Sequence, residues 1–321
     1  MTKLDPQTMD LQTMDSTSVD SPVNLTNANL TNPNPSLTTE RKVPTRRISF
    51  DESLHGVAKH FAAHDNLILS HLTACLSGLF PDGEDFFVRS VRHYRTQITD
   101  PELKAQVAGF IGQEATHGRE HRALNDRFDE LGYPVRRYER FTKRGLGLRT
   151  KFAPPITNLA ATVALEHFTA TLAELLLTNE ETQALFGDDD LRNLFLWHAL
   201  EESEHKAVAF DVYRTVGGSE RLRVWTMREL RYGFPFFLAV QTLISLLGDR
   251  ETYRRGRLRT SWRAFRNSPL VGHDVWKQLC DFDRADFHPD DSDTNELVAE
   301  WRERLFGSDG QIKDLLRANA A

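Results

Sequence analysis

Two stretches of this chain repeat one spacing. In FIGQEATHGREH (110–121) Glu114 and His117 stand three residues apart, and in WHALEESEHKAVAFDVY (197–213) so do Glu202 and His205. Residues three and four apart share one face of an α-helix, so each pair offers an oxygen and a nitrogen to a single ion. His121 lies within about 20° of Glu114 on the first helix, and His198 lies one turn before Glu202 on the second. Two more carboxylates sit inside apolar runs, Glu84 in LFPDGEDFFVRSV and Glu166 in LAATVALEHFTATLAELLL. The order Glu, Glu-x-x-His, Glu, Glu-x-x-His is the pattern by which a four-helix bundle holds two iron or manganese ions. Buried without partners, four carboxylates and two imidazoles would be strongly destabilising, whereas two divalent cations neutralise them. The expected metal ligands are therefore Glu84, Glu114, His117, Glu166, Glu202 and His205, with His198 as a seventh. The alternative for His198 is a core histidine satisfied by a backbone carbonyl or by Glu201. His121 is an extra ligand, a neighbour that orients the ligands or lines the pocket, or a surface residue.

Such side chains need elements that hold them level. From about residue 65 the apolar spacing is helical nearly throughout, and no strict alternation predicts a strand, so the expected class is all-α. ITDPEL (98–103) starts a helix, with Thr99 or Asp100 as cap and Pro101 in the first turn, and ELGYP (130–134) ends it. A third helix is expected from about Thr157 to Thr178. After a break in FGDDDLRN (186–193) a fourth runs from about Leu191 to Val216, where GGS stops it. Glu84 and Glu114 are each fifteen residues from Thr99, and Glu166 and Glu202 are equidistant from position 184. At about 1.5 Å per residue the carboxylates of each hairpin then stand at equal height.

Much of residues 45 to 290, including RRISFD, LFPDGEDFFVRSVRHYRTQITDPELKAQVAGFIGQEATHGREH and WHALEESEHKAVAFDVYRTVGGS, resembles a bacterial family labelled predicted metal-dependent hydrolase. The Glu-x-x-His pattern is also similar to that of ferritin-like di-iron carboxylate oxygenases, desaturases and oxidases. His-x-x-x-Glu-x-x-His at His198, Glu202 and His205 resembles the extra-histidine site of the aminobenzoate N-oxygenases. These resemblances imply a ferritin-like four-helix bundle with a dinuclear site and extra C-terminal helices. One departure is clear. Proteins like soluble methane monooxygenase place Asp before each Glu-x-x-His glutamate to hold the opposite histidine, and this chain has Gln113 and Glu201 there. His93 and His167 point off the metal face.

The donor set suits iron with open positions for O2. The expected function is therefore an O2-activating dinuclear non-haem iron (or mixed iron and manganese) protein, an oxygenase or oxidase with an electron donor and a small organic substrate. The alternative is a metal-dependent hydrolase using a metal-bound water, and the third reading is a ferroxidase or metal store. Small residues near Glu166, namely Thr169, Ala170 and Ala173, could make room for substrate. The N-oxygenase resemblance implies an aromatic amine; fatty acyl oxidation or desaturation is an equal candidate.

The remaining sequence sets bounds. The 321 residues, with 40% hydrophobic and 27% charged, are enough for a sizeable core. A net charge of -6 implies neither nucleic acid nor an anionic membrane as partner. Cys75 and Cys280, without Cys-x-x-Cys spacing, exclude a thiolate zinc site, a rubredoxin-like centre and a disulfide framework, and fit the cytoplasm. Residues 1–42 read as a disordered low-complexity tail without the features of a signal peptide. Residues 43–321 are expected to form one helical metal-binding domain, with its bundle core at about 65–218 and a C-terminal extension at about 219–321. Within that extension GFPFFLAVQTLISLLG (233–248) is sixteen residues without a charge, short of the roughly 18 to 20 that span a bilayer. It is expected to be a buried or homodimer-contact helix, an interfacial membrane contact or, last, a true span.

Overall fold

The computed structural model describes residues 43–317, so the expected tail at 1–42 lies outside the described residues. The protein is all-α. Its principal helices are α1 (Leu67–Ser77), α2 (Phe80–His93), α3 (Pro101–Glu130), α4 (Val135–Phe152), α5 (Pro155–Thr178), α6 (Asp189–His205), α7 (Val208–Thr215), α8 (Glu220–Leu247), α9 (Arg257–Arg266), α10 (His273–Asp281) and α11 (Asn295–Phe306). Among the described residues there is no strand, only isolated bridges from Ile48 to Leu316 and from Ala62 to Phe186.

The helix starts follow local chemistry. Asp100 caps α3 by accepting from the Leu103 N–H, with Pro101 next, where a missing N–H costs nothing. Asp188 caps α6 in the same way through Leu191. α2 packs along α3, and α5 along α6. The apolar core falls into two clusters along these helices. Phe110 of α3, Phe168 of α5 and Val208 of α7 belong to one; Leu124 of α3, Ala173 of α5 and Trp197 of α6 belong to the other. Between them the buried residues of α3 turn polar, with Gln113, Glu114, His117, Glu120 and His121 all at 2% exposure or less. The apolar clusters above and below hold a polar layer that could not stabilise itself.

Two expectations need correction, and one helix is added. The fourth helix is not continuous to Val216: α6 ends at His205, and α7 starts at Val208. No glycine or proline lies at that break. The buried Lys206 lies at the break and donates from its ammonium to the Ser292 carbonyl, 2.6 Å away. Residues 135–152, between the helix expected to end in ELGYP and the one expected from about Thr157, form α4. The charge-free run 233–248 is not a buried helix. It continues α8, whose Gln241, Thr242, Ser245 and Leu246 are buried while Phe236 is 71% exposed and Leu243 and Leu247 also face outward. By length and composition α5 and α8 could each cross a membrane, but the apolar stretch of α5 is 72% buried within the protein and that of α8 only 28%.

Before α1 the chain 43–50 runs as an extended strap across α3. Glycine is required beneath it: a Cβ on Gly109 would lie 2.1 Å from the Val43 carbonyl oxygen, and one on Gly112 would lie 2.1 Å from Thr45 Oγ1. This close approach brings Arg46 into the bundle.

Candidate metal centre

Four helices converge on the polar layer. α2 brings Glu84, α3 brings Glu114 and His117, α5 brings Glu166, and α6 brings His198, Glu202 and His205, all buried. Ligand atoms lie within 4.8 Å of one another in overlapping groups: Glu84, Glu114 and His117; Glu114, Glu166 and His205; His117, His198 and Glu202; Glu84, His121 and His198. Glu114 belongs to two groups built on different histidines, as does Glu84. His205 Nε2 is 3.1 Å from Glu114, 3.5 Å from Glu166 and 3.6 Å from Glu202.

Hydrogen bonds fix which nitrogens face the centre. His117 Nε2 donates to Glu201 at 3.0 Å, which leaves Nδ1 bare. The Gln113 amide nitrogen donates to Glu204 at 2.6 Å and to the Pro44 carbonyl at 3.1 Å, so its oxygen must be the acceptor for His205 Nδ1 at 2.8 Å. His205 Nε2 is therefore bare as well. A longer chain orients His198. The Asn125 amide nitrogen donates to the Ser77 carbonyl and to Glu139, so its oxygen accepts from the Ser77 hydroxyl at 2.8 Å. Ser77 Oγ then accepts from His121 Nδ1 at 3.0 Å, and His121 Nε2 accepts from His198 Nδ1 at 2.7 Å. His198 Nε2 faces a Glu202 oxygen at 2.9 Å, a contact that calls for a proton or a cation between them. His121 is buried, so the surface reading falls.

The fit to cations rests on orphaned atoms. Both oxygens of Glu84, Glu114 and Glu166, Glu202 Oε2, His117 Nδ1 and His205 Nε2 are buried without a hydrogen-bond partner. These nine atoms are the inward-facing lone pairs of one cluster, and orphaned buried groups of this kind are rare in folded proteins. Electrostatics agrees. Burial pushes Glu84 and Glu114 well above the usual carboxylate range, and their carboxylate neighbours push the same way. Burial raises Glu166 to about 7. Glu202 falls well below the usual range, because His205 and His198 outweigh its burial. His205 rises well above the usual imidazole range, since Glu202, Glu114 and Glu166 outweigh its own burial. Without cations, protons must do the neutralising. A second histidine and carboxylate group, His60, His71 and Asp249, behaves differently: Lys59 Nζ supplies a cation 3.1 Å from Asp249, and none of its atoms is orphaned.

Residues around the centre were not all legible. Gln113 carries no charge, but it relays that of Glu204, which Arg46 and Arg302 neutralise at 2.6 Å each. Arg46 also reaches Glu201 at 2.9 Å. Arg46 lies in the RRISFD stretch that carries the family resemblance, but neither it nor Glu204 has a local spacing that marks a role at the centre. Arg46→Ala should lower unfolding free energy by about 3 kcal/mol, since Glu201 loses its arginine partner while Arg302 still serves Glu204. It should also weaken metal binding roughly 10- to 100-fold by loosening His117. Denaturant unfolding and metal titration check both; a change under about 1 kcal/mol would show that the strap does not support the site.

An apolar cavity of about 450 Å³ opens onto this centre, with Glu84, His198 and Glu202 in its wall. Of the small residues near Glu166, Thr169 and Ala173 line it and Ala170 does not.

Residues 44–293 match the family described as "predicted metal-dependent hydrolase". The chain belongs to this family. No curated protein and no solved structure matches the chain. Family membership corrects the expected reaction. The sequence pattern favoured an O2-activating di-iron oxygenase or oxidase; the family supports metal-dependent hydrolysis, which stood as the alternative. The physical reason for the error is that a carboxylate and imidazole donor set selects a class of cation and leaves open what that cation does.

Proposed function

We propose that this chain is a hydrolase that works with two divalent cations held by Glu84, Glu114, His117, Glu166, Glu202 and His205, with His198 as a further donor. The observation that carries the reading is the set of nine orphaned, buried lone pairs converging from four helices, in a chain of the metal-dependent hydrolase family. Four carboxylates with imidazoles suit borderline or hard ions such as manganese, iron(II) or zinc. Bound there, such ions supply an acidified water and polarise a carbonyl or phosphoryl oxygen. The chain's own residues do the positioning. Glu201 holds the His117 ring by its Nε2 proton, and Gln113 holds His205 by its Nδ1 proton. His121 holds the proton on His198 Nδ1, so that Nε2 stays free to bind. An apolar wall borders one side of the centre.

The test is turnover of carboxylic and phosphoric ester panels by protein stripped with chelator and reloaded anaerobically with zinc, manganese or iron(II). Turnover that needs the cation and is lost in Glu114→Gln is the expected result. Absence of cation-dependent turnover with every ion on both panels would overturn the reading.

A further inference from the structure

Resting on the hydrolase reading, we infer that the cavity beside the centre binds the hydrocarbon chain of an acyl ester, so that the substrate is lipid-like. The cavity has polar side chains at its inner end, Glu84, His198 and Glu202, and elsewhere, among the described residues, only Thr142 and Thr169 interrupt an apolar wall. The Thr169 hydroxyl is already committed to the Glu166 carbonyl at 2.9 Å. A substrate with a polar or charged body would lose its hydration there and find no partners, at a cost that a hydrocarbon does not incur. The cavity leads from α2, α5 and α6 to α4 and α8, where Phe141 and Phe237 stack at 5.4 Å beside Gly233. Phe141 is 57% exposed, and the neighbouring Phe236 is more so. The outer end is thus bordered by apolar side chains that water alone does not favour. A chain threaded inward from this mouth places its carboxyl end at Glu84, His198 and Glu202.

The reaction needs no redox partner. Water adds to the acyl carbon and the C–O bond breaks, giving a carboxylic acid and an alcohol; the proton lost from water balances the one gained by the alkoxide.

Three glycines make a clean probe. A Cβ on Gly83, Gly145 or Gly233 would meet no heavy atom within 4 Å, and all three line the cavity, so larger side chains there enter empty space. Gly233 lies within α8, where leucine is also the better helix former. Two measurements are made on metal-loaded protein: kcat/KM for p-nitrophenyl esters from acetate to dodecanoate, and calorimetric binding of dodecanoate itself, the latter repeated after chelation. kcat/KM should rise about fourfold per added methylene until the cavity is full. Gly233→Leu and Gly145→Leu should each cut the octanoate-to-acetate ratio and dodecanoate affinity about tenfold or more, the equivalent of losing two methylene contacts. Equal kcat/KM across the chain series, with the variants altering neither ratio nor affinity, would overturn the inference while leaving hydrolysis standing. Dodecanoate binding that the variants weaken, without turnover of any ester, would uphold the apolar chain site and overturn the hydrolase reading.

Discussion

Glu114→Gln is expected to abolish binding of both cations, whereas Glu166→Gln should weaken mainly one. Glu114 shares one group with Glu84 and His117 and another with Glu166 and His205, while Glu166 is found only in the latter. If Glu114 held both ions, its loss would take an oxygen from each. The glutamine side chain keeps volume and can be buried neutral, so the fold should survive. Losing one charged ligand of a divalent site costs several kcal/mol, so an affinity loss of about a thousandfold or more is expected at each position. Metal analysis after anaerobic reconstitution, with titration of the weaker site, distinguishes the variants. Retention of one tight ion in Glu114→Gln would show that the two groups do not share that carboxylate.

Stripped of cations, the protein should lose stability as pH rises, and cations should remove that loss. The sign follows from the direction of each shift. Glu84, Glu114 and Glu166 have folded values above the ordinary carboxylate value, so their protonated forms stabilise the metal-free fold most fully at low pH. That contribution fades as pH rises through the folded values, about 7 for Glu166. His205, also raised, has the same sign. Glu202, held low, has the opposite one: its contribution is present above the ordinary carboxylate range and is lost only in acid. Between about pH 4.5 and 7 the raised carboxylates dominate, and Glu166 alone accounts for about 3 kcal/mol. Thermal unfolding across this range, with chelator and with excess cation, should diverge progressively toward alkaline pH. Glu166→Gln should flatten the chelated profile by its share. A chelated Tm independent of pH would mean that the carboxylates are not buried together.

The two effects share one cause. The same lone pairs must be neutralised by protons or by cations, so metal affinity should rise with pH over the range in which the metal-free protein weakens.

How far this could be read without coordinates depended on the range of each interaction. Helical spacing is local, so Glu114 with His117 and Glu202 with His205 could be placed on common faces, and counting residues from the turns put Glu84 level with Glu114 and Glu166 level with Glu202. The caps at Asp100 and Asp188 are equally local and equally legible. The orientation of each histidine was not, because it depends on chains of donors such as Asn125, Ser77 and His121, which are ordered only once α1, α3 and α6 pack.

What the sequence alone determined is an all-α chain and a repeated oxygen and nitrogen donor pattern suited to cations, because both follow from periodicity within single helices. Only the tertiary structure decided that Arg46 crosses 155 residues to neutralise Glu201, that α6 stops at His205, that α4 and α8 open their apolar faces, and that a hydrocarbon-lined cavity reaches the centre. Those features depend on which surfaces meet. Burial, desolvation and charge pairing act between residues remote in the chain, and no local pattern encodes their partners.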